Sequence, residues 1–75
     1  MTEVQKQTRE YIGNIIADRR KELGLEQSDV EDYTDISIST LSRLENGRAN
    51  ITIDSLSVLF DVLGLEMIVR IRRTV

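Results

Sequence analysis

Apolar residues recur at helical spacing in the first third of the chain. Within residues 8–23 they fall three or four positions apart, which is typical of a helix that buries one face. Gly24 follows, and glycine often ends a helix in the left-handed conformation. We therefore predict a first helix over residues 8–23, whose apolar face carries Tyr11, Ile12, Ile15, Ile16 and Leu23.

The next segment predicts two short helices separated by a tight turn. The second helix runs from Gln27 to about Thr34, and its apolar side consists of Leu25, Val30 and Tyr33. Asp35 fits the turn, because aspartate is one of the few residues other than glycine that tolerate a positive φ. Ser37 is a suitable N-cap for a third helix, in which the apolar positions are Ile38, Leu41 and Leu44.

A fourth helix is predicted after Gly47. Thr52 is a good N-cap, Asp54 complements the helix dipole in the first turn, and Gly64 ends the helix. The apolar stripe of this helix consists of Leu56, Leu59, Phe60 and Leu63.

The final segment, LEMIVRIRRTV, changes from helical to alternating periodicity. Alternation with many β-branched residues indicates a half-buried strand. A single strand on a helical domain needs a pairing partner from outside the chain, so we predict an antiparallel pairing between two copies. The dimer strand residues are Leu65, Met67, Ile68, Val69 and Ile71, of which all but Ile68 are predicted to face the helices.

Together these elements predict a mainly α fold: a compact domain of four to five helices with a short C-terminal β-strand that pairs across a dimer. Residues 1–64 form the helical domain and residues 65–75 the dimerisation strand. A chain of 75 residues has room for one core, so support from a partner subunit is reasonable.

Composition restricts the chemistry. The chain contains no cysteine and no histidine, which removes disulfides, thiolate or imidazole metal sites and the usual nucleophile–base pairs. No apolar run approaches the length of a membrane span, and the N-terminal segment lacks the apolar region of a signal peptide. We expect a cytoplasmic protein without catalytic residues, cofactor or metal.

The charge is unevenly distributed. The net charge of −3 argues weakly against nucleic acid as a partner, but residues 25–36 account for it, since they hold five acidic residues and no basic one. The five are Glu26, Asp29, Glu31, Asp32 and Asp35. Basic residues lie further on, at Arg43, Arg48, Arg70, Arg72 and Arg73.

The stretch GLEQSDVEDYTDISISTLSRLENGRANITIDSLSVLFDVLGL resembles the helix-turn-helix of the lambdoid phage repressor and Cro family, also called the XRE family. The match covers roughly residues 12–65, and its most specific parts are Gln27 and the SxLSRLENG run of residues 39–47. The strand appended directly after the domain, GLEMIVRIRR, is similar to the HipB-type antitoxins, in which such strands pair across a dimer.

The resemblance implies that the third helix enters the major groove of DNA. By position in the motif, the residues that meet bases, groove walls or phosphates are Gln27, Ser37, Ile38, Ser39, Thr40, Ser42, Arg43, Asn46, Arg48 and Asn50. Arg43 is the sharpest candidate, because a guanidinium can contact a guanine edge bidentately. The alternative for each of these residues is an ordinary solvated surface position.

The resemblance also implies an ion pair that supports the recognition helix. In this family an arginine late in the first helix pairs with the glutamate that closes the third, which corresponds here to Arg20 and Glu45. Two unrelated surface charges are the alternative. The sequence departs from the family pattern at Glu26, in place of a serine or threonine cap, and at Asp35, in place of a turn glycine.

The acidic second helix bears on function. Glu26 lies where the helix crosses the phosphate backbone and would repel DNA, whereas the other four acidic residues are expected to point away. That face is either solvated or free for a basic protein partner. Two functions therefore stay open. The first is a homodimeric repressor or autoregulating antitoxin that binds a palindromic double-stranded operator, and the second is a module that chiefly binds a toxin or another protein. An enzyme is a distant third.

Overall fold

Four α-helices make up the fold of this protein. The computed structural model describes residues 2–73, so the ends of the two predicted domains, at residue 1 and residues 74–75, lie outside the described residues. The helices are α1 (Glu3–Glu22), α2 (Gln27–Tyr33), α3 (Ile38–Glu45) and α4 (Ile53–Leu63). The prediction of a mainly α fold is confirmed, with four helices and with no strand assigned between residues 2 and 73.

Helix α1 begins five residues earlier than its apolar pattern predicts. Thr2 caps the helix: its hydroxyl accepts the Gln5 N–H at 3.2 Å, and the Gln5 side chain accepts the Thr2 N–H at 3.0 Å. This reciprocal capping box stabilises the first turn without burying it. Because Val4 is exposed there, the first two turns carry no amphipathic signal.

The predicted ends of the later helices are confirmed. Ser37 Oγ accepts the Thr40 N–H at 3.1 Å, and Thr52 Oγ1 accepts the Ser55 N–H at 3.1 Å. Gly64 ends α4 in the left-handed conformation, with φ at 68°. These caps act over three or four residues, so the local sequence is sufficient to specify them.

The turn between α2 and α3 forms differently from the prediction. Within residues 2–73 no residue other than glycine has a positive φ, so the left-handed conformation predicted for Asp35 is wrong. Thr34 makes the turn instead: its hydroxyl donates to the Val30 carbonyl at 2.8 Å and accepts the Ile36 N–H at 3.1 Å. A side chain that bonds the neighbouring backbone can replace a glycine in a tight turn.

All four helices contribute to one core. Its buried hydrophobic residues are Ile16, Val30, Ile36, Leu41, Leu44, Ala49, Leu56, Leu59 and Leu63. Tyr11, Leu23 and Tyr33 are exposed, so their assignment to buried helix faces is wrong. Each lies at the margin of an amphipathic stripe, where the position of the neighbouring helices decides burial.

Helix α1 packs against the end of α3 almost backbone to backbone. A Cβ atom at Gly13 would collide with the Leu44 carbonyl oxygen. Gly47, with φ at 72°, follows α3, and a Cβ there would approach Glu10 Cγ to 2.8 Å. Two glycines thus permit the close approach that holds the C-terminal end of α3 on α1.

The C-terminal segment leaves the core after one anchored residue. Leu65 is half-buried and donates its N–H to the Phe60 carbonyl at 2.8 Å. Val69 and Ile71 are 88% and 93% exposed, so within one chain they do not pack on the helices. A groove of about 540 Å³ opens between α1, α4 and this segment, and its apolar lining is Tyr11, Ile12, Ile15, Phe60, Leu65, Met67 and Ile68. No helix in the described part of the chain has both the length and the apolarity to span a membrane.

Candidate nucleic-acid interface

Helix α3 has one buried face and one polar outer face. Leu41 and Leu44 are buried in the core. Ile38, Ser39 and Arg43 are exposed on the other side, with Ser42 half-buried beside them. At 3.6 residues per turn these four positions form one continuous arc. The arrangement brings together the residues predicted to meet DNA bases.

Ser37 and Thr40 are hydrogen-bonded to each other at the start of α3. The Ser37 hydroxyl donates to Thr40 Oγ1 at 3.0 Å while it caps the Thr40 N–H. Their arrangement is therefore that of a helix cap, and the Ser37 side chain stays exposed. A phosphate contact by Ser37 would use the hydrogen-bonding capacity that remains.

Glu31 also lies at this end of α3. Its Oε2 accepts the N–H of Ile38, the first residue of α3, at 2.8 Å. Glu31 thus contacts the recognition helix, and the expectation that its side chain points away from DNA stays a prediction. The two residues are seven apart and come from different helices, so no helical or turn periodicity signals the contact. Capping patterns join residues about three apart, which is why sequence reasoning missed it.

Arg20 and Glu45 form a bidentate ion pair at the opposite end of α3. Arg20 Nε and Nη2 donate to the Glu45 carboxylate at 2.7 Å and 3.0 Å. The side chains are 10% and 8% exposed, which distinguishes this pair from ordinary surface charges. Arg20 Nη1 also donates to the Leu25 carbonyl at 2.8 Å. The pair thus joins α1, the following loop and α3.

The electrostatics of the pair favour a permanently charged arginine. The hydrogen bond to Glu45 raises the pKa of Arg20 above its ordinary value, although burial acts in the opposite direction. A raised pKa means that the contribution of Arg20 to stability is lost only as pH rises through that value. The pair therefore persists throughout the neutral range and is no pH switch on the arginine side.

Gln27 belongs to the same network. Its Nε2 donates to Glu45 Oε1 at 3.3 Å, and the side chain is half-buried. Gln27, the first residue of α2, thus links this helix to the ion pair, and one of its two amide hydrogens is used in that contact. The predicted contact between Gln27 and DNA stays a prediction.

Polar residues continue the outer face beyond α3. Asn46 Nδ2 donates to the Ser42 carbonyl at 2.8 Å, and Arg43 Nη2 lies 3.4 Å from the Arg48 carbonyl. The second contact is long and exposed, so Arg43 can leave it at little cost. Arg48 and Asn50 are exposed in the loop that follows. Two arginines therefore lie at the C-terminal part of this surface.

Some acidic side chains of α2 accept hydrogen bonds from main-chain N–H groups within the fold. Asp29 Oδ2 accepts the N–H of Glu26, the N-cap residue of α2, at 2.7 Å, and Glu31 caps α3. Asp32 and Asp35 are exposed. Thus Asp29 and Glu31 both stabilise helix ends, a role that total charge cannot reveal.

Comparison with known families agrees with this geometry. The Helix-turn-helix family matches residues 16–69, from the buried Ile16 to the exposed Val69. Membership of this family places the protein in the class of DNA-binding transcription regulators. Because the match covers well over half of the chain, this protein belongs to the XRE-family helix-turn-helix proteins. A search of curated proteins gave no match. The similarity to HipB-type antitoxins stays a prediction.

Proposed function

We propose that this protein is a sequence-specific repressor that binds a palindromic DNA operator as a homodimer. The observation that carries the proposal is the outer face of α3, where Ile38, Ser39 and Arg43 are exposed together on a helix anchored through the Arg20–Glu45 pair. Base readout needs hydrogen-bonding groups on a rigidly held helix. In proteins of this class such a helix lies in the major groove. A cytoplasmic location is part of the proposal.

The side chains divide into readers and phosphate contacts. Arg43 would contact guanine O6 and N7, Ser39 a second base edge, and Ile38 a thymine methyl. Gln27, Ser37, Thr40 and Ser42 would contact the first base pair, the groove walls or the backbone. The residues that follow the helix, Asn46, Arg48 and Asn50, would contact phosphates. Phosphate contacts fix the register of the helix and carry no sequence information themselves.

The dimer in this proposal forms through residues 65–75, which act as a unit separate from the helical domain of residues 1–64. Exposed Val69 and Ile71, together with the groove beside Phe60, provide apolar surface for a second copy. Antiparallel pairing across a two-fold axis would satisfy the unpaired backbone of both copies. The proposal requires the two α3 helices of the dimer to lie about 34–36 Å apart, which is the spacing of successive major grooves.

A matched pair of substitutions tests the dimer. We expect Val69→Asp to give a monomer in sedimentation and greatly weakened operator binding, and we expect the same of truncation after Gly64. Val4→Asp is the control, because Val4 is also an exposed valine, with 71% of its surface accessible, but lies in the first turn of α1. Dimeric Val69→Asp protein, or a truncated protein that still sediments as a dimer at micromolar concentration, would move the interface onto the helices.

Salt-dependent binding to duplex DNA tests the DNA-binding function. The logarithm of the affinity should fall with the logarithm of salt concentration by about 0.9 per neutralised phosphate. Arg48→Ala should flatten this slope and weaken binding to all sequences alike, whereas Arg43→Ala should change the motif selected from randomised duplexes. No binding to any duplex at low salt would reject the proposal.

A second candidate is a protein-interaction module, for example an antitoxin that binds a toxin. The observation that favours it is the acidic α2 region, in which Asp32 and Asp35 remain exposed in a segment without basic residues. Such a surface complements a basic protein. This candidate predicts little binding to DNA at low salt, so the same titration separates the two functions.

A further inference from the structure

A carboxylate occupies the N-terminal end of α3. Glu31 Oε2 accepts the Ile38 N–H at 2.8 Å, and both residues are exposed. The N-terminus of a helix attracts anions, because its first N–H groups lack partners and the helix dipole is positive there. In this protein an anionic side chain of α2 already fills one of these positions.

The position of this carboxylate matters because of how recognition helices approach DNA. The N-terminal residues of such a helix contact base edges, while the preceding helix crosses the phosphate backbone. Ile38 begins α3, so the Glu31 carboxylate lies at the end of the helix that enters the groove. There it uses a main-chain donor that could serve a phosphate, and it adds a like charge near the DNA backbone.

We propose that Glu31 is a built-in opposing charge that lowers the affinity of this protein for duplex DNA of any sequence. This inference rests on the proposed function, since it requires α3 to enter the groove. It separates two roles of one side chain. The hydrogen bond to Ile38 stabilises the junction between α2 and α3, and the negative charge weakens DNA binding.

Glu31→Gln separates these two roles. The glutamine amide oxygen can still accept the Ile38 N–H, but the charge is removed. Asp32→Asn is the matched control: Asp32 is the adjacent exposed residue of α2, its substitution changes the net charge equally, and within the described residues it makes no hydrogen bond to α3. A general effect of net charge would appear equally in both variants.

The experiment titrates a random-sequence duplex with the full-length wild type and the two variants over a range of salt concentrations. We expect Glu31→Gln to bind about three- to tenfold more tightly at low salt, because a unit charge close to a phosphate is worth about a factor of five at short range in water. The gain should shrink as salt increases, and Asp32→Asn should gain less than about twofold. The Tm of Glu31→Gln should equal that of the wild type.

The outcomes distinguish this inference from the function on which it rests. Equal or weaker binding by Glu31→Gln, or an equal gain for Asp32→Asn, overturns the role of Glu31 while the wild type still binds DNA. Absence of salt-dependent binding in all three proteins instead overturns the proposed function. Tighter binding by Glu31→Gln with unchanged Tm supports the inference, because a purely structural cap would leave affinity unchanged.

Discussion

A glutamate joins α3 to its neighbours at each end of the helix, but the two glutamates lie in opposite environments. At the C-terminal end the Glu45 side chain is 8% exposed and receives two hydrogen bonds from Arg20 and one from Gln27. At the N-terminal end Glu31 is exposed and accepts one main-chain N–H. The same residue type therefore joins α3 to its neighbours by a buried network at one end and by a single surface contact at the other.

The difference shows how burial sets the role of a charge. A buried carboxylate needs its partners, because an uncompensated charge away from water is costly. An exposed carboxylate is solvated in any case, so its hydrogen bond contributes little to stability and its charge remains available to act on a ligand. We therefore expect stability to depend mainly on the buried pair at the C-terminal end of α3, whereas the exposed charge at the N-terminal end acts mainly on DNA affinity.

The largest effect is expected from breaking the buried pair. Arg20→Ala should lower the free energy of unfolding by about 3–5 kcal/mol, because it leaves the Glu45 carboxylate buried without its main partner. Urea unfolding followed by circular dichroism measures the loss. Lys21→Ala, at the neighbouring exposed position, should change little. Unchanged Tm and unchanged DNA affinity in Arg20→Ala would show that the pair contributes to neither stability nor DNA binding.

A double substitution separates the contribution of the Arg20–Glu45 pair to stability from its contribution to the orientation of α3. Arg20→Met with Glu45→Leu replaces both charges by apolar side chains, and we expect it to be more stable than either single variant, since replacing a whole buried pair is often neutral. Its DNA affinity should stay low, because the bonds that orient α3 are lost. Recovery of wild-type affinity would show that the pair does not set the orientation of α3.

A smaller effect is expected from filling the contact between α1 and α3. Gly13→Ala should destabilise the protein by about 1–3 kcal/mol, since its Cβ would meet the Leu44 carbonyl and force a backbone shift. Alanine favours a helix over glycine by about 1 kcal/mol, so the sign of the change shows which effect wins. Asn14→Ala, at an exposed position of the same helix, is the control. Higher stability of Gly13→Ala would contradict the tight crossing.

The exposed end should respond still less. Ser37→Ala removes the hydroxyl that caps the Thr40 N–H, which should cost about 0.5–2 kcal/mol. Ser39→Ala serves as the control, because Ser39 is exposed on α3 outside the cap position. Thermal unfolding of the two variants compares them directly. Equal Tm values would contradict the stabilising role of the Ser37 cap.

The smallest effect on stability is expected at Arg43. Arg43→Ala should change the free energy of unfolding by less than about 0.5 kcal/mol, because its side chain is exposed and its hydrogen bond is long. The same variant should lose about 1–3 kcal/mol of preference at one base position in each half-site. Selection from randomised duplexes measures that preference. An unchanged selected motif would contradict the assignment of the reading face.

Local signals in the sequence were sufficient for most of the helical framework. Ser37 and Thr52 begin their helices and Gly64 ends its helix through contacts within three or four residues, so each can be identified without the fold. The placement of Leu41 and Leu44 in the core follows from helical periodicity in the same way. The pairing of Arg20 with Glu45 came from the family resemblance, because no local rule connects residues 25 positions apart.

The tertiary structure decided the contacts that depend on how the helices cross. The Glu31 contact with Ile38 and the exposure of Tyr11 follow from the orientation of neighbouring elements. Gly13 shows the reason: a glycine inside a helical pattern has no local purpose, and only the backbone of α3 beside it explains the missing side chain. Periodicity and capping are properties of a few successive residues, whereas crossing geometry depends on the packing of the whole core.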